Sequence, residues 1–244
     1  MNTANTPLAG KTALVTGGAR GLGRALCEAL CEAGARVIVA DVRADLAAQA
    51  ARELAERGHE TLHSAVDVGD EGQVIGCIEA AHKQFGSIDI LINNAGVDYT
   101  VPIGELEVGQ WDHVMATNLR GPFLLTKHVV AQMAGPGGHI INIASTAAKR
   151  AWPNASAYHA SKWALLGLSH AMHAELRPQG IKVTAVIVGG MRTPFLLDRF
   201  PDIDPEVLQD PENVAEAVVQ VLQLPAGSVV PEISVLPMRE TSWP

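Results

Sequence analysis

Residues 12–23 read TALVTGGARGLG, an apolar run followed by closely spaced glycines, and a helical stretch covers 24–33. A strand, a glycine turn and a helix in this order direct the helix N-terminus at a phosphate group. The glycines are spaced GxxxGxG, so the general GxGxxG dinucleotide fingerprint is not met. Because a glycine-rich connection can join any strand to any helix, the turn alone leaves both interpretations open.

Apolar runs alternate with helical stretches along the rest of the chain. Several runs are continuous in Val and Ile, which is typical of parallel strands covered on both faces. The alternation predicts one α/β domain with a doubly wound parallel sheet of about seven strands and helices on both faces. The predicted strands are 13–15, 36–40, 61–66, 88–92, 139–143, 182–188 and 229–236, and the clearest helices are 45–57, 70–85 and 158–176.

Composition indicates a single globular domain over all 244 residues, with 48% hydrophobic and 18% charged residues. The formal net charge of −8 argues against a nucleic-acid-binding protein, which needs clustered Lys and Arg. The sequence has no signal-peptide pattern and no apolar run of about 18 residues, so we expect a cytoplasmic protein without a membrane segment. Cys27, Cys31 and Cys77 form no CxxC pair and the histidines do not cluster, so no metal site is expected.

Tyr158 and Lys162 stand four residues apart, and Ser145 follows the predicted strand 139–143. Residues at i and i+4 share one face of a helix, so the phenol and the ammonium can lie in one site. A nearby fixed cation favours the tyrosinate, and this allows a phenol to act as an acid or base near neutral pH. A YxxxK string also occurs by chance on helix surfaces, so the motifs around it decide its interpretation.

Four motifs in register resemble those of the short-chain dehydrogenase/reductase (SDR) family, in its single-domain branch. The resemblance runs from about residue 10 to residue 193. The matching residues are Thr16, Gly17, Gly21 and Gly23 in the turn, Asp41 after the second strand, Asp67 and Val68, the run Asn93, Asn94, Ala95 and Gly96, and then Asn118, Ser145, Tyr158 and Lys162.

Two departures from the family pattern lie late in the chain. Val188-Gly189-Gly190 replaces the usual Pro-Gly after the sixth strand, and the C-terminus lacks the usual glycines. Both border the substrate side, so they concern specificity and assembly more than chemistry. Around the core we expect a short polar tail at 1–9, a substrate-side loop at 190–210 and a C-terminal tail at 237–244 that lies across a neighbouring subunit or closes over the site.

The resemblance implies a Rossmann-like oxidoreductase that transfers a hydride reversibly between a nicotinamide cofactor and a secondary alcohol or ketone. It implies a catalytic set in which Tyr158 acts as general acid or base, and Lys162 lowers the Tyr158 pKa and hydrogen-bonds the nicotinamide ribose. In this set Ser145 holds the substrate oxygen, and Asn118 supports a water chain from Lys162 to solvent. A redox sensor without turnover and a non-redox dehydratase or epimerase on the same scaffold remain alternatives.

Cofactor contacts are expected where the strands end, because ligands of an open parallel sheet bind beyond the carboxyl ends of its strands. Asp41 can accept both hydroxyls of the adenosine ribose and repel a 2′-phosphate, which favours NAD over NADP. Arg20 and Arg43 argue the other way, because either can clamp a phosphate. The expected cofactor-binding residues are Gly17, Arg20, Gly21, Leu22, Gly23, Asp41, Asp67, Val68, Asn94, Ala95, Gly96, Tyr158, Lys162, Gly189 and Thr193.

The substrate is expected to be a small molecule of largely apolar character, held by Ser145, Trp152, Tyr158, Met191 and Phe195. The predicted helix 158–176 is apolar nearly all round. Such a helix is normally buried on every side, so one face covers the sheet and the other needs a partner subunit. We therefore expect a homo-oligomer, a dimer or a tetramer, formed through this helix.

Overall fold

The computed structural model describes residues 6–133 and 137–239. Its seven strands are β1 (Thr12–Thr16), β2 (Arg36–Asp41), β3 (Thr61–Ala65), β4 (Ile90–Asn93), β5 (Gly138–Ile143), β6 (Ile181–Val188) and β7 (Glu232–Val235). All of them pair in parallel in one sheet of order β3-β2-β1-β4-β5-β6-β7. The predicted doubly wound α/β fold is therefore confirmed.

The helices of the described residues lie on both faces of this sheet. They are α1 (Gly21–Glu32), α2 (Ala44–Glu56), α3 (Glu71–Phe85), α4 (Val108–Met115), α5 (Gly121–Met133), α6 (Ser156–Leu176), α7 (Pro194–Leu197) and α8 (Pro211–Leu222). Helices α1, α2 and α8 cover one face, and α3, α5 and α6 cover the other, each set over its own hydrophobic core. None of the helices within 6–133 and 137–239 is long and apolar enough to cross a membrane.

The position of the site follows from the winding of the chain. β1 lies in the middle of the sheet with β2 on one side and β4 on the other, so the chain winds outward and then crosses back. The crossover after β1 leads to β2 on one side of it, and the crossover after β3 leads to β4 on the other side. This reversal opens a crevice at the carboxyl ends of β1 and β4. Every residue of β1 is buried, which matches its continuous apolar sequence.

Several element ends differ from the sequence expectation. α1 begins at Gly21, three residues before the predicted start, because the glycine turn leads directly into the helix. β7 is shorter than the predicted 229–236, since Pro231 has no N–H to donate to a neighbouring strand. Of the predicted polar tail 1–9, residues 1–5 lie outside the described residues, and Leu8 is 4% exposed and belongs to the core.

Candidate active site

The segments that follow the strands line one cleft of about 570 Å³ at the carboxyl edge of the sheet. This placement agrees with the expectation that these segments converge. Asn118 lies behind the cleft wall. The predicted residues that line the cleft are Gly17, Arg20, Gly21, Leu22, Gly23, Asp41, Asp67, Val68, Asn94, Ala95, Gly96, Ser145, Trp152, Tyr158, Lys162, Gly189, Met191, Thr193 and Phe195.

The glycine turn between β1 and α1 requires glycine at three of its positions. Gly17 and Gly21 have φ of 61° and 54°, and a Cβ on Gly23 would lie 1.9 Å from the Gly17 carbonyl oxygen. Arg20 is the N-cap residue of α1, and its side chain makes no capping hydrogen bond. The first N–H groups of α1 are therefore available to an anion at the helix N-terminus, where the helix dipole favours negative charge.

Thr16 and Asn94 join the glycine turn to the end of β4. The Thr16 hydroxyl accepts hydrogen bonds from the Asn94 and Ala95 backbone N–H groups at 3.0 and 3.1 Å. The Asn94 side-chain amide donates to the carbonyls of Thr16 and Gly17 at 2.9 and 3.1 Å. Asn94, expected to contact the cofactor, thus holds the turn that forms the cofactor end of the cleft.

Asp41, the last residue of β2, is fixed by two backbone hydrogen bonds. Its Oδ2 accepts from the Ala19 N–H at 3.2 Å, and its Oδ1 accepts from the Arg43 N–H at 3.0 Å. Arg20 and Arg43 are exposed. The carboxylate therefore has a set position in the cleft, whereas the two arginine side chains extend into solvent.

Asp67 and Val68 form the next wall, after β3. The Asp67 Oδ1 accepts from the Gly69 N–H at 2.9 Å, and the Asp67 N–H donates to Gln73 Oε1 at 2.9 Å. Val68 is 5% exposed and packs so closely on Gly121 that a Cβ there would lie 2.7 Å from its methyl carbon. The first turn of α5 therefore supports this wall from behind.

Ser145 and Tyr158 both line the other end of the cleft. Ser145 follows β5, and its Oγ accepts from the Ala147 N–H at 3.1 Å. Burial raises the pKa of Tyr158 to about 12, the Ser145 hydrogen bond opposes this rise, and the charges of Asp98 and Arg199 raise and lower it respectively. The phenol is therefore protonated at neutral pH.

Lys162 is 4% exposed, and its ammonium donates to the Ile143 carbonyl at 2.8 Å. Its Nζ lies 5.6 Å from the centre of the Tyr158 ring, and burial lowers its pKa to about 8. Loss of hydration is the largest cause acting on the Tyr158 pKa, and the lowering of this pKa by Lys162 stays a prediction. Gly96 is next to this ammonium, and a Cβ on it would lie 3.7 Å from the Lys162 Nζ, an ordinary contact distance.

Asn118 lies in a π-helical turn, Ala116–Arg120, between α4 and α5 and is 0% exposed. Its Oδ1 accepts from the Val97 N–H at 2.8 Å, and its Nδ2 donates to the Val97 carbonyl at 2.9 Å and to the Ser161 hydroxyl at 3.0 Å. The side chain thus connects the loop after β4 to α6. These contacts let Asn118 hold the two elements together, and its expected support of a water chain stays a prediction.

His159, which the sequence analysis did not single out, holds the loop that carries Trp152. The Trp152 N–H donates to His159 Nε2 at 3.1 Å, so the ring proton is on Nδ1, which donates to the Ala147 carbonyl at 3.0 Å. The two rings also meet edge to face at 4.3 Å. His159 is next to Tyr158 in the chain, but nothing in the sequence shows that its ring turns to the loop.

Asp98 and Arg199 were also missed, although Arg199 lies in the substrate-side loop expected at 190–210. Arg199 Nη1 forms an ion pair with Asp98 Oδ2, and both residues line the cleft. The guanidinium carbon lies 4.0 Å from the centre of the Phe195 ring, which is 6.0 Å from the Tyr158 ring. The partners are 101 residues apart, so no local sequence pattern connects them.

The loop at 190–210 closes the cleft from above. A Cβ on Gly190 would lie 2.7 Å from a methyl carbon of Leu208, so the second glycine of the unusual Val-Gly-Gly segment permits this packing. Thr193, 5% exposed, packs on Gly21 of the turn. The C-terminal tail reaches the cleft at Arg239, and the predicted contribution of Trp243 lies outside the described residues.

Comparison with known proteins agrees with this geometry. The family model described as short chain dehydrogenase matches residues 11–204. A short chain dehydrogenase/reductase, dpchG, from Colletotrichum higginsianum (strain IMI 349063) is 41% identical over 202 residues, which cover 81% of this chain and 75% of that protein.

Two solved structures share the whole architecture. A metagenomic short-chain oxidoreductase in complex with NADP is 30% identical with a TM-score of 0.84, over 95% of this chain and 99% of that chain. The 3-ketoacyl-(acyl-carrier-protein) reductase from Brucella melitensis, complexed with NADH, is 30% identical with a TM-score of 0.86 and the same coverage, 95% and 99%. The chain therefore belongs to the short chain dehydrogenase family, whose members are oxidoreductases that bind nicotinamide nucleotides.

Proposed function

We propose that this protein interconverts secondary alcohols and ketones of largely apolar character by reversible hydride transfer, with Tyr158 as general acid or base. The observation that carries the proposal is the placement of Ser145, Tyr158 and Lys162 together in the cleft that begins at the glycine turn. A group that transfers a proton must lie within hydrogen-bond reach of the reacting oxygen. A substrate oxygen held by Ser145 would lie beside the Tyr158 hydroxyl.

The residues of the cleft fit a dinucleotide. The glycine turn and the N–H groups at the start of α1 suit the pyrophosphate, and the fixed Asp41 carboxylate suits the adenosine ribose. Lys162 would reach the nicotinamide ribose at the far end. When bound, the nicotinamide supplies or accepts the hydride, and the protein's part is to position the carbonyl and handle its proton.

Proton transfer is the task of Tyr158. A phenol whose pKa is about 12 is protonated at neutral pH, so it is ready to donate a proton to a ketone oxygen. In the oxidative direction the phenolate must form, and the Ser145 hydrogen bond and the Arg199 charge favour it. Lys162, whose pKa of about 8 keeps it charged at neutral pH, adds positive charge 5.6 Å from the ring.

For the cofactor we propose NAD(H) in preference to NADP(H). Two backbone N–H groups hold the Asp41 carboxylate at the end of β2, where it would accept the ribose hydroxyls of a bound NAD. A 2′-phosphate there would meet a like charge in a partly dry cleft, which costs free energy. The two solved relatives are complexed with NADP and NADH, so they do not decide the preference.

The protein is proposed to form a homo-oligomer, a dimer or a tetramer, through α6 and the neighbouring helices. Three large apolar side chains on α4, α5 and α6 are exposed, Trp111 by 37%, Phe123 by 46% and Trp163 by 52%. Light scattering at micromolar concentration should give at least the dimer mass, and a monomer mass would contradict the proposal. An apolar groove on this surface is lined in part by Met115, Leu119, Phe123, Ala164 and Leu168.

The cytoplasm is the proposed compartment. Cys27, Cys31 and Cys77 are all free and buried, as is usual where thiols are kept reduced. Burial raises the pKa of the Cys31 thiol to about 12, so this thiol is unreactive and has a packing role.

A substrate screen tests the proposed function. Purified protein is incubated with NAD+ or NADP+ and a panel of secondary alcohols, and absorbance of the reduced nicotinamide is followed. Growth of this band with an alcohol, and not without it, is the expected result. Cofactor binding without turnover would instead support a redox sensor, and substrate conversion without absorbance change would support a dehydratase or epimerase.

A further inference from the structure

The substrate end of the cleft contains a partly buried ion pair between two loops. Asp98 lies in the loop after β4, and Arg199 follows α7 in the loop at 190–210. The side chains are 6% and 22% exposed. Removing two charges from water carries a large desolvation penalty, so the pair is a poor device for stability alone.

The guanidinium of Arg199 has a fixed orientation. Its Nη1 donates to Asp98, its Nε donates to the Phe195 carbonyl at 2.8 Å, and its plane lies against the Phe195 ring. Among the described residues no hydrogen bond uses its Nη2. Because Arg199 lines the cleft, this nitrogen is the donor left for a ligand.

The distance from the proposed proton-transfer group is short. The Phe195 ring is close to both groups, 4.0 Å from the guanidinium carbon and 6.0 Å from the Tyr158 ring. The charges of both Asp98 and Arg199 act on the Tyr158 proton. One small substrate can therefore contact both Tyr158 and Arg199, which line the same cleft.

The charges around this end of the cleft favour an anion. Of the described residues that line it, Lys162, Arg199 and Arg239 are basic and Asp98 is acidic. Arg239 is at the mouth of the cleft and is 4.0 Å from the mostly exposed Glu206. A cleft with an excess of one charge attracts ligands of the opposite charge.

We propose that Arg199 binds a carboxylate of the substrate, and that the substrate is therefore a short hydroxy acid or the matching oxo acid. The buried Asp98 carboxylate holds the guanidinium in place for this contact. The apolar walls contact the carbon chain between the two polar ends. This inference rests on the proposed function and specifies the substrate class of the same site.

A matched pair of alcohols tests the inference. The ratio of kcat/KM for 4-hydroxypentanoate to kcat/KM for 2-pentanol is measured in the wild type, in Arg199→Met and in Arg199→Lys. The wild type should prefer the acid, and Arg199→Met should lower the ratio by roughly 10- to 100-fold, the usual range for a lost charge-assisted hydrogen bond. Arg199→Lys, which keeps the charge but not the planar fork, should fall between them.

Binding provides a second readout that needs no turnover. Calorimetric titration of 4-oxopentanoate into each protein with NAD+, a combination that cannot react, should show weaker binding in Arg199→Met, while Arg52→Met, on the exposed side of α2, should bind like the wild type. Thermal melts establish that each variant is folded. Arg199→Lys keeps the test usable where the methionine variant fails to fold.

The outcomes separate the two proposals. Equal use of acid and alcohol by the wild type, or an unchanged ratio in both Arg199 variants, would overturn the carboxylate contact and leave the oxidoreductase function intact. Loss of 4-oxopentanoate binding in Arg199→Met without oxidation of either alcohol would support the contact and contradict the proposed reaction. Absence of both binding and turnover would contradict both.

Discussion

The two ends of the cleft are built in different ways. The end at β1 and β2 is formed mainly by backbone, with a glycine turn in which Gly23 could not carry a Cβ. The end at α7 consists of side chains from distant segments, with Arg199 between Asp98 and Phe195. A backbone site binds a constant group such as a phosphate, whereas a side-chain site changes with single substitutions. The first end therefore suits a shared cofactor and the second a particular substrate.

Between these ends lies the group on which the proposed reaction depends, and its removal should have the largest effect. Tyr158→Phe deletes the transferable proton and keeps the ring that packs near Phe195. We expect kcat to fall by about 10²–10⁴, the usual contribution of a general acid or base, with the Kd of the cofactor nearly unchanged. Steady-state kinetics and calorimetry measure the two quantities.

The other tyrosine of the chain supplies the control. Tyr99→Phe removes a hydroxyl that hydrogen-bonds His113 Nδ1 at 2.9 Å, outside the proposed reaction. It should retain activity near that of the wild type. Turnover by Tyr158→Phe within a few-fold of the wild type would refute the role of the phenol.

The next largest effect, a loss of cofactor affinity, is expected at the end of the cleft formed by the glycine turn. In Gly23→Ala the new Cβ would lie 1.9 Å from the Gly17 carbonyl oxygen, so the turn must change shape. Overpacking of this kind typically costs about 1–3 kcal/mol, and we expect cofactor affinity to fall by roughly 10- to 100-fold. Calorimetric titration of NADH measures this change.

Gly76→Ala is its control, because a Cβ at this position on α3 meets nothing within 4 Å. It should leave NADH affinity unaltered. Equal affinities in Gly23→Ala and the wild type would show that the turn does not bind the cofactor.

The same contrast between the two ends of the cleft separates the features that the sequence could predict from those that needed the structure. The fold and the cofactor end follow from local patterns, since a continuous apolar strand, a glycine turn and the start of α1 are adjacent in the chain. The orientation of Asp41 required the structure, although its position at the strand end was predicted. Asp98 and Arg199 were out of reach, because their pairing depends on how two loops 101 residues apart pack over the sheet.

Substitution of Asp41 should have a smaller effect, which is specific to the choice between NAD+ and NADP+. Asp41→Ala removes both the proposed ribose acceptor and the repulsion of a 2′-phosphate. We expect the ratio of kcat/KM for NAD+ to that for NADP+ to fall by about tenfold, mainly through weaker use of NAD+. Asp45→Ala, an exposed carboxylate on α2, should keep the wild-type ratio. A wild-type enzyme that already prefers NADP+ would contradict the NAD assignment.

His139, at the amino end of β5 and away from the cleft, should affect stability and not the chemistry. Burial, with a further contribution from Lys182, lowers its pKa to about 3. Below the unfolded value of 6.5 the unfolded chain binds a proton that the folded chain does not, so stability falls as the pH falls from 6.5 towards 3. At pH 5 this loss is about 2 kcal/mol.

Thermal melts at pH 7 and pH 5 check this loss. In the wild type the Thr184 hydroxyl is 2.8 Å from His139 Nε2, and His139→Gln keeps a donor for it. The melting temperature of this variant should fall less on acidification than that of the wild type. His63→Gln, on the exposed side of β3, should behave like the wild type. An identical pH dependence in all three proteins would contradict the assignment.

Isotope transfer tests the central claim most directly. The best secondary alcohol of the screen is prepared with deuterium on its carbinol carbon and oxidised in the presence of the preferred cofactor, and both products are analysed by mass spectrometry. The account predicts one deuterium in the reduced nicotinamide for each ketone formed. An unlabelled cofactor alongside a converted substrate would contradict hydride transfer.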